Sequence, residues 1–421
     1  MTTLLDDLNE LLRIPSVSAG RPNPDGIRKA AEWVRDRVLR AGGEAELLGD
    51  PNPLVYGELK ANRGNAPDVI VYGHYDVQDV GPADEWESDP FEPTARDGRL
   101  YARGASDDKG NFLPVLHAAC ELHARGELPV NVRVLIEGEE ETLSDHVIEW
   151  IAGDERGAAA AIVFDASMPT EDMPAITTAC RGGVMLTVSV RVAERDVHSG
   201  LFGGVAPNAI HALMRMLEAI VPAPGEELRE ELRAGVAPVS DAERASWQDV
   251  PPNPEYHEKT GAQPDIEVNG IISGATDELR TIIPAFAKAN VSLRTAPGQN
   301  SSHLRELIER LLRDAAPAGA EVEISGTAAE PVQFDPESPP LVLARQAFER
   351  ATGKAPALIR SGGTIPILAA FADRGIQTIV SGFALPEDAI HAPNESYRLE
   401  SLELNEKTSY ELLKALGDLP A

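Results

Sequence analysis

Cysteine is almost missing from this chain. Cys120 and Cys180 are the only two in 421 residues, and they form no CxxC pair, which excludes a disulfide framework and a thiolate zinc site. Basic residues are also few, with 38 Lys and Arg against 68 Asp and Glu and a formal charge of −30. Such a field repels phosphate backbones and anionic headgroups, so neither nucleic acid nor a membrane surface is expected as a partner. No run approaches the roughly 18 apolar residues that cross a bilayer. The opening segment MTTLLDDLNELLRIPSV has no basic n-region; its Leu4, Leu5, Leu8, Leu11 and Leu12 follow helical spacing and predict an amphipathic first helix, not a signal peptide. A reducing, cytoplasmic setting fits these absences.

What is present is enough for a large fold. The length predicts two domains, and 43% hydrophobic with 25% charged residues is an ordinary globular balance. In the first half, strand-like runs at Asp68–Tyr72, Asn131–Ile136 and Ala160–Phe164 alternate with helical spacing, as at Lys109–Arg125, which predicts α/β architecture around a mostly parallel sheet. From Gly183 the order changes. A strand (MLTVSVRV), a helix over Pro207–Ile220, strands near Glu267–Ser273 and Ala285–Leu293, a helix over Ser302–Asp314 and a strand at Ala320–Ile324 give β-α-β-β-α-β, the order of a ferredoxin-like sandwich. We therefore expect a main domain from residues 1–181 and 330–421, interrupted by an inserted domain over 182–329.

Ligands of open parallel sheets gather beyond the carboxyl ends of the strands. A census there is unusual. DVIVY runs into Gly73, His74, Tyr75 and Asp76; NVRVLI into Glu137, Gly138, Glu139, Glu140 and Glu141; AAIVF into Asp165; and TIVSG into a loop that reaches His391. Asp107 and Asp108 stand where RLYARG turns into the crossover helix. Each alone has a dull reading, as a chance pair, a solvated turn or a helix cap. Together, two imidazoles and several carboxylates without thiolate suit zinc, manganese or cobalt, and there are more oxygen donors than one tetrahedral ion uses.

These segments also carry a resemblance. GHYDV at 73–77, WESDPFEPTARDGRLYARGASDDKG at 86–110, EGEEE at 137–141, RDVHSG at 195–200 and AIHAPNE at 389–395 are together similar to the M20 metallopeptidases, with the 86–110 segment nearest the dipeptidase branch. The resemblance implies a zinc-peptidase-like catalytic domain with an inserted lid and dimerisation domain. It implies two divalent ions, zinc, manganese or cobalt, bridged by Asp107, with His74 and Asp165 on one and Glu141 and His391 on the other. Asp76 would orient His74, and Glu140 would be the general base. His198 would reach a partner subunit's site in a homodimer and stabilise the oxyanion, and the strand Val184–Val192, taken as an outer strand of the inserted sheet, would be available for pairing across the dimer. Arg294 and Arg360 would hold a substrate carboxylate through guanidinium forks, beside Gly362, Gly363 and Thr364.

Two departures from the family pattern stand out. Ser361 occupies a position where carnosinase-like relatives carry glutamate, which argues against recognition of a free substrate amino group unless Glu395 or Asp165 supplies the missing charge. After Glu141 the chain reads Thr142-Leu143-Ser144 where a glycine-containing turn is usual. The expected activity is hydrolysis of the amide bond in dipeptides or small peptides. The rivals are hydrolysis of N-acyl amino acids by the same centre, and a catalytically dead metal- or peptide-binding protein.

Overall fold

The computed structural model describes residues 3–142, 144–274 and 278–421, so Leu143 of the departing turn lies outside the described residues. The main sheet has nine strands. Eight run in the order Glu44–Leu48, Leu54–Leu59, Asn131–Glu137, Asp68–His74, Ala160–Phe164, Thr378–Ser381, Ala175–Cys180 and Val332–Gln333, while Ala357–Ser361 pairs in parallel with Ala175–Cys180. The four strands from Asn131–Glu137 to Thr378–Ser381 are mutually parallel. Their Val- and Ile-rich runs are buried on both faces, as a sheet covered on both sides requires. The flanking pairs are mostly antiparallel, so the sheet is mixed.

The crossover helix Lys109–Ala124 is buried from Lys109 to Leu122, because the helices Leu4–Leu12 and Leu399–Leu416 pack against it and its apolar residues are not confined to one face. Gly73 marks how closely it approaches the sheet. A Cβ there would lie 2.3 Å from Phe112 Cβ, so only glycine lets the strand deliver His74 against the start of this helix.

The insert builds a second core. Four antiparallel strands stand in the order Asp265–Ser273, Phe286–Thr295, Gly182–Arg191, Glu321–Ala329, covered on one face by helices Ala209–Glu218 and Ser301–Ala315. Val184, Leu186, Val188 and Val190 alternate inward to meet Leu213, Met216 and Ile308, the period of two expected of a half-buried strand. One expectation is corrected here. A sheet of this order places its first strand inside, so the strand containing Val184 is paired on both sides and has no free edge for a symmetry mate. The edges are Asp265–Ser273 and Glu321–Ala329.

The acid- and proline-rich stretch of the insert does not stay with that core. Ser246 Oγ and Trp247 Nε1 both donate to Leu358 O, at 2.9 and 2.7 Å, and Glu243 accepts from Thr178 Oγ1 at 2.7 Å. This segment clasps the main sheet beside the Ala357–Ser361 strand.

Candidate metal centre and active site

The carboxyl ends of the parallel strands bring the census residues together. His74 terminates one strand, Asp165 follows another, and Glu140–Thr142 is a short 3-10 turn just past Asn131–Glu137. Two groups of side chains that could hold a metal ion form: His74, Asp107 and Asp165; and Asp107, Glu141 and His391. Asp107 belongs to both. His74 Nε2 lies 3.0 Å from Asp107 Oδ1, and His391 Nε2 lies 2.9 Å from Asp107 Oδ2, so one imidazole faces each oxygen of this carboxylate.

Asp76 fixes two neighbours at once. His74 Nδ1 lies 3.1 Å from Asp76 O and 3.3 Å from Asp76 Oδ1, leaving Nε2 turned to Asp107. The same carboxylate accepts the N–H groups of Glu140 and Glu141 at 3.3 Å each and the Ser18 hydroxyl at 2.6 Å. The turn that carries both glutamates is thereby hung from the residue that orients His74.

The donor set is rich in charge and poor in partners. Asp165 makes no hydrogen bond or ion pair among the described residues, and burial with nearby Asp107 and Glu140 pushes its carboxyl well above the usual range. Burial likewise raises Glu140 to about 7, with Asp107, Glu141 and Asp76 adding to the rise against an opposing pull from His74. Burial alone would raise Asp107, but hydrogen bonds from His391 and His74 hold it well below the usual range. Glu141 Oε1 is buried without a hydrogen bond of good geometry, 3.2 Å from His391 Nε2. Carboxylates crowded in this way are what divalent cations neutralise, and the mixture of imidazole and carboxylate fits such ions.

The centre opens into a cavity of about 390 Å³, lined by Asp107, Glu140, Asp165 and His391 at one end and by Thr177, Ile359, Ser361, Gly363, Thr364 and Ile365 beyond. Residues 70–415 match the model of peptidase family M20/M25/M40. The chain belongs to that family. It is 28% identical over 424 residues to the cysteinylglycine-S-conjugate dipeptidase of Corynebacterium striatum, covering 93% of this chain and 91% of the relative. It is 28% identical to the β-Ala-His dipeptidase of Rattus norvegicus, covering 92% and 83%. Among solved structures, the M20 family metallo-carboxypeptidase Sso-CP2 of Sulfolobus solfataricus superposes with a TM-score of 0.86 at 27% identity over the whole of both chains.

Within this M20 fold the expected substrate residues part company. Arg360 is 4% exposed. Its Nε and Nη2 donate to Glu243 at 2.8 and 3.1 Å, and Nη2 also reaches Pro238 O at 3.0 Å. The fork expected for a substrate carboxylate is occupied by a carboxylate of the chain itself, because the clasping segment brings Glu243 under the strand. Arg294 is different: its Nη1 lies 3.5 Å from Thr364 Oγ1 and it has no carboxylate partner among the described residues. Thr364 Oγ1 donates to Arg181 O at 2.7 Å, and Gly362 is pressed against Thr260 O and Arg181, so a Cβ there would meet them at 2.9 and 3.2 Å.

Glu395 corrects another expectation. It is fully buried, pairs with Arg103 Nη1 at 2.6 Å and accepts the N–H groups of Gly104, Ser106 and Asp107 at 3.1, 2.9 and 3.1 Å. No acceptor is left for a substrate ammonium. Glu395 instead braces the loop that holds Asp107, a role the sequence reading missed because its partners are backbone groups. His198 is exposed on the short strand Val197–His198 of the insert, outside the residues that line the cavity. Its Nδ1 accepts the Gly200 N–H at 3.0 Å, so in the neutral ring the proton sits on the outward Nε2.

Proposed function

We propose that this chain is a dinuclear metal-dependent hydrolase that cleaves the amide bond of dipeptides or small peptides. The observation that carries this reading is the position of Asp107, shared by two ligand groups with one imidazole at each oxygen. His74 and Asp165 would hold one divalent ion and Glu141 and His391 the other, zinc by the balance of imidazole and carboxylate, with manganese or cobalt compatible. Bound there, such a pair supplies Lewis acidity at the scissile carbonyl and lowers the pKa of the attacking water.

The chain's own groups do the rest. Glu140, the acidic residue of the cavity outside both ligand groups, takes the proton of the water and returns it to the leaving amine. Asp76 keeps His74 in one tautomer and the Glu140–Glu141 turn in place. Arg294 is the cation available for the terminal carboxylate of the substrate, a task suited to its planar fork. Names of the relatives support dipeptides as substrates, since both curated matches cleave them.

A second reading, hydrolysis of N-acyl amino acids, is favoured by one observation. Ser361 Oγ accepts the Gly363 N–H at 3.1 Å and Glu395 is engaged elsewhere, so among the described residues lining the cavity an ammonium meets no carboxylate beyond the metal set and Glu140. Rates on matched Ala-Xaa and N-acetyl-Xaa substrates, with zinc, manganese or cobalt added, test both readings. Metal-independent rates, or none on either series, would sink the hydrolase assignment.

The same reading includes a homodimer in which His198 acts in trans. Its outward Nε2–H suits an oxyanion donor, and the edge strand Asp265–Ser273 exposes Ile271 and Ile272 at 58% and 67%, an apolar edge that a symmetry mate would cover.

A further inference from the structure

A second cavity of about 720 Å³ runs between the two domains, and Thr364 and Ile365 line it as well as the metal cavity, so the two lie side by side. One wall is the outer face of the lid sheet, with Met185 and Arg294; the other is one face of the helix Pro366–Asp373, running from Pro366 past Ala369 and Ala370 to Asp373. Beyond Met185, the outward positions of its own strand are polar. Alternation along the strand puts Thr187, Ser189 and Arg191 on the same side as Met185, and the neighbouring strand adds Lys288, Asn290 and Ser292. Met185 breaks the pattern, 52% exposed, and it does so where the groove begins. Opposite it stand partly buried alanines whose small side chains leave the space open.

Polar residues on a solvated sheet face need no explanation, whereas an apolar side chain facing small apolar residues across a gap marks a surface built to be filled. Arg294 stands at the inner end, beside Thr364 and without an acidic partner among the described residues. We propose that the groove receives the side chain of the residue on the amine side of the scissile bond, and that the preferred substrates carry a large unbranched or aromatic apolar residue there. This rests on the reading of the centre as an amide hydrolase. With the terminal carboxylate on Arg294, a side chain leaving the same α-carbon is directed along the alanine wall, not back into the metal cavity.

The test is a panel of Ala-Gly, Ala-Asp, Ala-Leu, Ala-Met and Ala-Phe, with the matching N-acetyl amino acids, on metal-loaded full-length protein. Ala-Leu, Ala-Met and Ala-Phe should exceed Ala-Gly in kcat/KM by about tenfold or more, the usual discrimination of an apolar pocket. Met185→Asp and Ala369→Leu alter opposite walls, one by charge and one by filling. Each should raise KM for Ala-Phe more than for Ala-Gly, reducing the ratio between them. A flat or inverted profile in the unmodified protein overturns the groove alone. Equal losses on every substrate in both variants also overturn it, since that is how a face used only for domain closure behaves. Absence of turnover on every substrate overturns the hydrolase reading and the groove with it.

Discussion

The buried carboxylate of Glu395 accepts the backbone N–H of Asp107 at 3.1 Å, so the segment that supplies His391 also sets the place of the shared carboxylate. Two loops far apart in sequence are joined by one side chain. Glu395→Gln keeps the volume but turns an amide N–H2 toward backbone donors. Weakened metal binding by about tenfold or more is expected, as for other residues that orient ligands. Chelator competition measures it, and unchanged affinity would mean that the loop holds its shape without this brace.

Glu140→Gln removes the proposed proton acceptor without removing a candidate ligand. Turnover should fall about 100-fold or more while metal stoichiometry stays the same. Metal analysis beside single-turnover rates checks both halves, and near-normal turnover would move the base elsewhere.

The Arg360–Glu243 pair gives a prediction for stability. Glu243→Gln leaves a buried guanidinium without its counter-charge, at a cost of about 3 kcal/mol in denaturant unfolding. Despite burial, which works the other way, hydrogen bonds from Arg360, Ser240 and Thr178 lower Glu243 from its ordinary 4.5 to about 2. A depressed acid stabilises the fold fully above its unfolded pKa and loses that contribution as pH falls through the folded one. The stability gap between the native protein and Glu243→Gln should therefore narrow from about pH 4.5 toward pH 2. A gap constant with pH would contradict the pairing.

Both cysteines are buried, and burial pushes each thiol up to about 12. Thiolate is the reactive form, so a disulfide-exchange reagent at pH 8 should label neither in the folded protein and both after unfolding. Rapid labelling of the folded protein would show a more open core than this one.

The trans role of His198 is tested by mixing His198→Ala with Glu140→Gln under conditions of subunit exchange. One site of each mixed dimer would be complete, so activity should return toward about a quarter of normal under statistical exchange and independent sites. Exchange without recovery would place His198 in its own subunit's chemistry or outside it.

The residues that meet at the candidate centre were legible because strand ends are readable. Val- and Ile-rich runs mark the strands, and His74, Glu141 and Asp165 follow within a few residues of their ends. What could not be read depends on meetings across long separations. Arg360 finds Glu243 117 residues away, so a cation in the right motif was read as facing substrate. Glu395 binds N–H groups 288 to 291 residues earlier, and backbone donors leave no trace in composition. The inner place of the strand containing Val184 followed from the β-α-β-β-α-β order itself, which fixes the first strand between two others; the order was read, and its consequence for the edge was not.

His391 lies close to the end of the chain, while His74 and Asp107 lie in its first third, and the second ligand group needs all of the intervening fold to form. During synthesis the growing polypeptide therefore carries the first group long before the second. A growing chain in which the segment carrying His391 has not yet folded back lacks the second group, and on the proposed mechanism it would lack the means to hydrolyse a peptide. On that mechanism, activity would wait for one histidine to be folded into place.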